Sequence, residues 1–211
     1  MIFPGATPLL NAIVKGTVTA ERQRLIDGGA QRAKLQSCLG DHIDTLFYDR
    51  RAGVNDRDGA TLIITSNLSA LTLYGTKVYL GEGNGGFMEV GSFGTISKSS
   101  FSVLGYNHPG FGGSTGQPYP DNNAAAIESV VEYATHELGF LHSDIIIYGW
   151  SIGGFDASYA GSKFPNLKGL YLDATFDDVM PLADIVMPPA IKAITSRTIR
   201  YYFNKFNNSI N

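Results

Sequence analysis

Ile145-Ile146-Ile147-Tyr148-Gly149-Trp150-Ser151-Ile152-Gly153-Gly154 is the stretch on which the fold turns. It opens as a continuous apolar run, the pattern of a strand buried on both faces of a sheet. It then places Gly149, Ser151 and Gly153 two residues apart and runs on to Ser162, through Ala157, Ala160 and Gly161, residues small enough for a helix to lie close against a sheet. Strand, serine-bearing turn and helix in that order read as a nucleophile elbow, a corner that lifts the serine hydroxyl clear of the sheet. The flanking glycines, Gly149 and Gly153, let neighbouring backbone pass without a clash. Spacing alone is weak evidence, because the chain holds 25 glycines and Gly112, Ser114 and Gly116 repeat the pattern. Context separates the two. Ser114 follows one proline-glycine loop and leads into another, whereas Ser151 has the strand before it and the helix after it, so Ser151 is the candidate nucleophile rather than an ordinary turn serine.

Working outward, Arg32 to Cys38 and Ile43 to Asp49 flank Gly40-Asp41 and read as an early hairpin, with Cys38 a small strand hydrophobe. Thr61 to Thr65, Lys77 to Leu80, Ser100 to Tyr106 and Lys168 to Asp173 are further strand-like runs. Between them lies the clearest helix, in which Ile127, Val130, Val131, Ala134 and Leu138 recur at helical spacing, with Asp121 and Asn122 as caps and Gly139 as a stop. Strands alternating with helices predict a mostly parallel sheet with helices on its faces.

A serine that attacks a carbonyl creates an oxyanion, which preplaced N–H donors must meet. One donor is expected from Ile152, the residue after the serine, and a second from the Gly83-Asn84-Gly85 turn, through Asn84 or Gly85. A glycine-rich turn with no ligand is the plainer alternative. The base and its orienting acid should follow the serine, yet His42, His108, His136 and His142 all precede it. His108 beside Pro109 reads as loop-shaping, and His136 and His142 as solvated. Asp173, at the end of the next strand, and Asp177 and Asp178 beyond it are within reach of the site, with capping the following turn as their simplest role.

Composition limits the other classes. A chain of 211 residues, 44% hydrophobic and 17% charged, can bury one ordinary core. Its net charge of -3, with Lys and Arg scattered, offers no field for nucleic acid. Cys38 is the single cysteine and nothing near it has metal-ligand spacing, so no disulfide, metal or cofactor is expected and a reducing compartment is the simplest reading. No apolar run approaches the ~18 residues that a spanning helix requires.

Four blocks taken in order are more specific than the elbow. They are Glu82-Gly83-Asn84-Gly85-Gly86-Phe87-Met88-Glu89-Val90-Gly91, Asn107-His108-Pro109-Gly110-Phe111, Ile145 to Phe155, and Leu172-Asp173-Ala174-Thr175-Phe176-Asp177-Asp178. Together they resemble the phosphatidylserine lipase branch of the α/β-hydrolase-domain proteins, also called the type-16 branch, and the likeness runs from Phe3-Pro4-Gly5 to Thr198-Ile199-Arg200. The resemblance implies an α/β-hydrolase fold, with a mostly parallel sheet, helices on both faces and a C-terminal truncation. On that reading residues 1–60 are an N-terminal segment with a strand hairpin, 61–178 a partial α/β-hydrolase core and 179–211 the start of a lid region.

The resemblance further implies a lipid substrate, an acyl ester of phosphatidylserine, a lysophospholipid or a monoacylglycerol, cleaved through an acyl-enzyme on Ser151. It implies association with an endoplasmic reticulum-like internal membrane. Relatives carry hydrophobic segments before the part that begins here, and their catalytic aspartate and histidine beyond the part that ends at Asn211, so both ends are expected to be missing. Residues 66–80 hold about one strand-and-turn more than relatives do. Ile191 to Phe206, where Ile191, Ile194, Ile199, Phe203 and Phe206 alternate with Lys192, Arg197, Arg200 and Lys205, suits a membrane surface or a lid, or a helix packed on the domain. The rival function is a catalytically inactive α/β-hydrolase-like fragment, lacking the catalytic Asp and His, that binds lipid or protein.

Overall fold

The computed structural model describes residues 8–51, 62–68, 73–74, 77–78, 88–151, 153–177 and Arg197. In chain order the elements are α1 (Pro8–Asp27), β1 (Gln31–Gln36), β2 (His42–Tyr48), β3 (Leu62–Leu68), β4 (Leu73–Tyr74), β5 (Lys77–Val78), α2 (Ser92–Ile96), β6 (Ser102–Tyr106), α3 (Pro120–His136), β7 (Ile145–Ser151), α4 (Gly154–Lys163) and β8 (Gly169–Asp173). Short 3-10 turns at Met88–Val90 and His142–Asp144 precede α2 and β7.

Six strands form one sheet in the order β1-β2-β6-β3-β7-β8. The β1–β2 hairpin is antiparallel, and β2 runs antiparallel to β6. The other pairings, β6–β3, β3–β7 and β7–β8, are parallel. The apolar runs read as buried strands therefore occupy the middle of the sheet, where both faces need cover. From β3 the chain passes to β6 on one side and, later, to β7 on the other. The carboxyl end of β3 is thus a topological switch point, the place where loops diverge and leave a crevice in open α/β sheets.

Each face of the sheet has its own core. On one, Ile64, Leu104, Tyr106, Ile145 and Ile147 lie under Ile127, Val130, Val131 and Ala134 of α3 and under Ala157 and Ala160 of α4. On the other, Leu46, Tyr48 and Val103 meet Leu25 of α1, Met88 of the 3-10 turn and Phe93 of α2. Gly105 makes the second contact possible, because a Cβ there would stand 2.4 Å from the Phe93 ring. The alternation along β2, Ile43 and Phe47 to the first core and Leu46 and Tyr48 to the second, is the period of two that a strand imposes.

Several local expectations need correction. Cys38 is exposed, in the turn beyond the end of β1, rather than inside a strand. Among the described residues Lys77–Val78 pairs with Leu73–Tyr74 alone, as an antiparallel pair outside the main sheet. Helix α3 starts at Pro120 with Tyr119 at the N-cap, and neither Asp121 nor Asn122 caps it. Proline fits that first position because its missing N–H has no intrahelical partner to lose. Asn122 instead donates to Asp41 Oδ2 at 2.7 Å, tying α3 to the hairpin turn.

Among the described strands β1 and β8 stand at the two edges, and on β8 Leu170, Tyr171 and Leu172 are between 43% and 59% exposed. Stability is therefore centred on β3, β6 and β7. Replacing fully buried Ile147 by alanine should cost roughly 2–5 kcal/mol in chemical denaturation. Leu141→Ala, at a side chain 67% exposed, should stay within about 0.5 kcal/mol of the parent.

Candidate active site

Strand β7 carries the chain to the carboxyl edge of the sheet beside β3, with Leu68 in register with Ser151. Ser151 ends the strand at φ 55, and the Gly153 amide donates to the Trp150 carbonyl at 2.9 Å before α4 begins. A side chain at positive φ costs about 1–2 kcal/mol, so the surrounding packing must hold it there. Gly149 supplies the space. A Cβ at that position would lie 2.6 Å from Ala157 Cβ and 2.8 Å from the Gly153 carbonyl oxygen, atoms of the turn and of the first turn of α4. Gly153 itself has an ordinary helical φ of -62, and what matters is that its carbonyl fills the place Gly149 leaves open. Gly154 is tight as well, because a Cβ there would meet Thr175 Cγ2 at 2.4 Å. Ser151 is half-buried at this corner.

Ser114, which repeats the spacing, is placed quite differently. It is buried, accepts the Asp44 amide at 2.8 Å and donates to the Asn107 carbonyl at 2.7 Å. Its hydroxyl ties a loop to β2.

Ile152, Asn84 and Gly85, the expected oxyanion donors, lie outside the described residues, as does Asp178. The histidines are all described. His108 is fully buried, with Nδ1 3.1 Å from Asp156 Oδ2, and Asn123 of α3 hydrogen-bonds it. The Tyr106 hydroxyl donates to the same Asp156 oxygen at 2.6 Å, and the Tyr106 and His108 rings stack at 5.0 Å. Burial drives the imidazole pKa down to about 3, against a smaller upward pull from Asn123. It is a neutral packing element between β6, α3 and α4, and too weak a base at neutral pH to take a serine proton.

His136 is exposed at the last position of α3, a helix that returns from the carboxyl edge to the opposite edge of the sheet. His142 precedes β7, at the far end of that strand from Ser151, and is half-buried against the Phe164 ring at 5.4 Å rather than fully solvated. His42 is exposed at the start of β2, three strands from β7, which is roughly 14 Å across the sheet.

Asp173 does more than cap a turn. Its Oδ2 accepts the Tyr148 hydroxyl at 2.7 Å, and Tyr148 stacks on Tyr171 at 5.5 Å. Partial burial, then the hydrogen bond and negative charge of Asp173, push the Tyr148 phenol pKa up. Tyr148, Trp150 and Asp173 border a cleft of about 970 Å³ closed on its other side by α1 and α2. Asp177 is exposed beyond it.

One polar group escaped the sequence reading entirely. Arg22 of α1 donates from Nε to Glu89 Oε1 at 2.7 Å, and its Nη2 contacts that same oxygen and lies 3.3 Å from Asp44 Oδ2. Arg32 grips the Asp44 carboxylate with two bonds, at 2.7 and 3.1 Å. Asn107 Nδ2 donates to Glu89 Oε1 at 3.2 Å, and Asn107 Oδ1 accepts the Met88 amide at 2.8 Å. Both carboxylates are wholly enclosed. Burial pushes the Glu89 carboxyl pKa up, with Arg22 pulling it back down. Glu89 and Asn107 stand in two of the four blocks that carry the family resemblance, but nothing in the sequence pairs them with Arg22.

Residues 82–209 match the α/β hydrolase fold family, and the chain belongs to it. The phosphatidylserine lipase ABHD16A of Mus musculus is 43% identical over 99% of this chain and 35% of its own length. That of Homo sapiens is 43% identical over 98% of this chain and 34% of its own length, so the chain spans about a third of these curated relatives. Among solved structures, the α/β hydrolase of Vibrio vulnificus superposes with a TM-score of 0.63 at 20% identity, covering 93% of this chain and 70% of that one, a likeness of fold.

His108 makes stability fall in acid. The folded imidazole takes a proton only near pH 3, while the unfolded one does so near its ordinary value of 6.5. Between those limits the unfolded state binds more protons, so stability drops as pH falls, with a slope of up to about 1.4 kcal/mol per pH unit. Denaturation of the parent and of His108→Gln at several pH values should show the parent losing about one proton's worth of slope more than the variant; parallel curves would contradict this.

Proposed function

We propose that Ser151 is the nucleophile of a hydrolase acting on acyl esters of lipids. The observation that carries the reading is the strained corner at Ser151, held at positive φ by the Gly149–Gly153 contact, at the carboxyl edge of β7 and next to the switch point at β3. A hydroxyl so placed can reach a carbonyl in the crevice. Its oxygen would bond the acyl carbon, the lipid alcohol would leave with a proton, and water would then release the fatty acid from the serine.

Amides of Ile152 and of Asn84 or Gly85 are the proposed oxyanion donors, each suited to act because backbone N–H groups need no reorganisation as charge develops. The relatives named phosphatidylserine lipase support phosphatidylserine as the substrate, and a lysophospholipid or a monoacylglycerol is proposed beside it on the family resemblance. Association with an internal membrane, through the basic and apolar stretch Ile191 to Phe206, belongs to the same proposal. Among the described residues no helix is long and apolar enough to cross a membrane.

His108 is enclosed, His136 and His142 lie toward the opposite edge of the sheet and His42 stands three strands away, so the proton acceptor is proposed to be none of the four histidines. The same observation supports a second reading, an α/β-hydrolase-like unit that binds lipid or a protein partner without chemistry.

A fluorophosphonate probe distinguishes the two. The enzyme reading predicts a covalent adduct on the peptide containing Ser151, absent from Ser151→Ala, when the folded chain is treated and analysed by mass spectrometry. A folded chain whose Ser151 stays unmodified favours the binding reading.

A further inference from the structure

The cleft of about 970 Å³ beside Trp150 is open because side chains are short where α1 faces α2. Thr17, Ala20, Glu21 and Arg24 recur along α1 at i, i+3, i+4 and i+7, so they share one face of that helix, and the first two are too small to close the gap. Gly94 of α2 borders the same space, and a Cβ there would meet nothing within 4 Å. The floor is strand: Trp150 of β7 lies in register with Asp173 of β8, with Tyr148 two residues earlier on the same face. Ser151 follows Trp150, so the cleft comes within one residue of the proposed nucleophile.

Its chemistry is polar. At the α1 end, Arg24 Nε donates to both carboxylate oxygens of Glu21, at 3.0 and 2.9 Å, and Lys98 stands close enough for Glu21 to feel its charge. The Arg24 hydrogen bond, opposed by partial burial and helped a little by the charges of Arg24 and Lys98, holds the Glu21 carboxyl below its usual pKa. At the strand end the Asp173 carboxylate is taken up by the Tyr148 hydroxyl. Ser92, at the start of α2, borders the cleft with an enclosed hydroxyl that has no hydrogen-bond partner among the described residues, so nothing in the fold holds it against turning to a ligand.

An acyl chain suits these walls badly, because methylenes would strip water from Glu21, Arg24 and Lys98 and return no hydrogen bond. A simple anion or a simple cation would meet charge of its own sign. What the α1 end matches is a ligand with two anionic groups and one ammonium, set against two cations and one carboxylate. A phosphodiester of serine carries that set in its phosphate, carboxylate and ammonium. A phosphodiester of ethanolamine lacks the carboxylate and would leave one cation unanswered.

We propose that the cleft between α1 and α2 recognises the phosphoserine headgroup of a lipid: Arg24 and Lys98 take its phosphate and carboxylate, Glu21 takes its ammonium, and the glycerol runs past Tyr148 and Trp150 to bring an acyl ester to Ser151. This rests on the reading of Ser151 given above and deepens it.

Trp150 is the only tryptophan of the 211 residues and borders the cleft, so its fluorescence reports an occupant. Titrated into the 211-residue chain, glycerophospho-L-serine should change the emission saturably and bind roughly fivefold more tightly than glycerophosphoethanolamine, the order expected for one further exposed ion pair. Lys98→Gln, at an exposed side chain, should erase that preference. Gly94→Phe should abolish the response to both by filling the space, with far-UV circular dichroism unchanged; should that variant fail to fold, Lys98→Gln decides by the loss of preference. O-phospho-L-serine, which lacks the glycerol, should bind more weakly than the diester, and binding as tight or tighter would assign the cleft to a free phosphomonoester and overturn the lipid assignment. Equal affinity for the two diesters, or no binding of either by fluorescence and equilibrium dialysis, would overturn the proposal. A parent chain that binds the serine diester but takes no fluorophosphonate would leave headgroup recognition standing and count against Ser151 as the nucleophile.

Discussion

The close approach of the Gly153 carbonyl to Gly149 is the constraint on which the corner at Ser151 depends. With no side chain at 149, the backbone two residues beyond Ser151 can fold back over the strand, and Ala157 of α4 settles against the same spot. The strand therefore turns into a helix within a few residues, and the price is a serine held at φ 55. That strain is tolerable only because β7 is anchored on both sides, by β3 and β8, and α4 is buried through Ala157 and Ala160. Site and core are thus parts of one packing arrangement.

A second layer of organisation joins elements that the corner does not reach. His108, Asp156, Tyr106 and Asn123 lock β6, α3 and α4 together on one face with groups that are polar but enclosed. On the other face, Arg22, Arg32, Asp44, Glu89 and Asn107 lock α1, the hairpin and the start of α2. Both clusters gather near the carboxyl ends of the parallel strands, where loops carry the polar residues and the apolar core ends.

Much of this was legible in the sequence, for physical reasons that differ by element. Ile145-Ile146-Ile147 announced a central strand because both faces of β7 are covered, and the small residues after Ser151 announced close helix packing. Helix α3 showed its stripe because Ile127, Val130, Val131 and Ala134 all face one core. Helix α1 did not show, because its buried stripe, Val18 and Leu25, is interrupted by Arg22, and because Gly16, Thr17 and Thr19 favour helix weakly. The residue that hides the helix is the one that links it to Glu89. The partners of Asp44, Asp156 and Asp173 were illegible for a related cause: each is brought by the tertiary fold from a distant part of the chain, and nothing local marks it. The small β4–β5 hairpin was half visible, since Lys77–Val78 has strand character but its partner strand has only two residues.

The proposed acyl transfer turns on what the oxygen of Ser151 can touch. A crystal structure of the chain after treatment with an alkyl fluorophosphonate measures that directly. The account predicts phosphorus bonded to Ser151 Oγ, a serine still at positive φ, and the phosphonyl oxygen roughly 3 Å from the Ile152 amide and from that of Asn84 or Gly85. Phosphorus on another residue, or on Ser151 with its oxygen turned away from those amides into solvent, would contradict it.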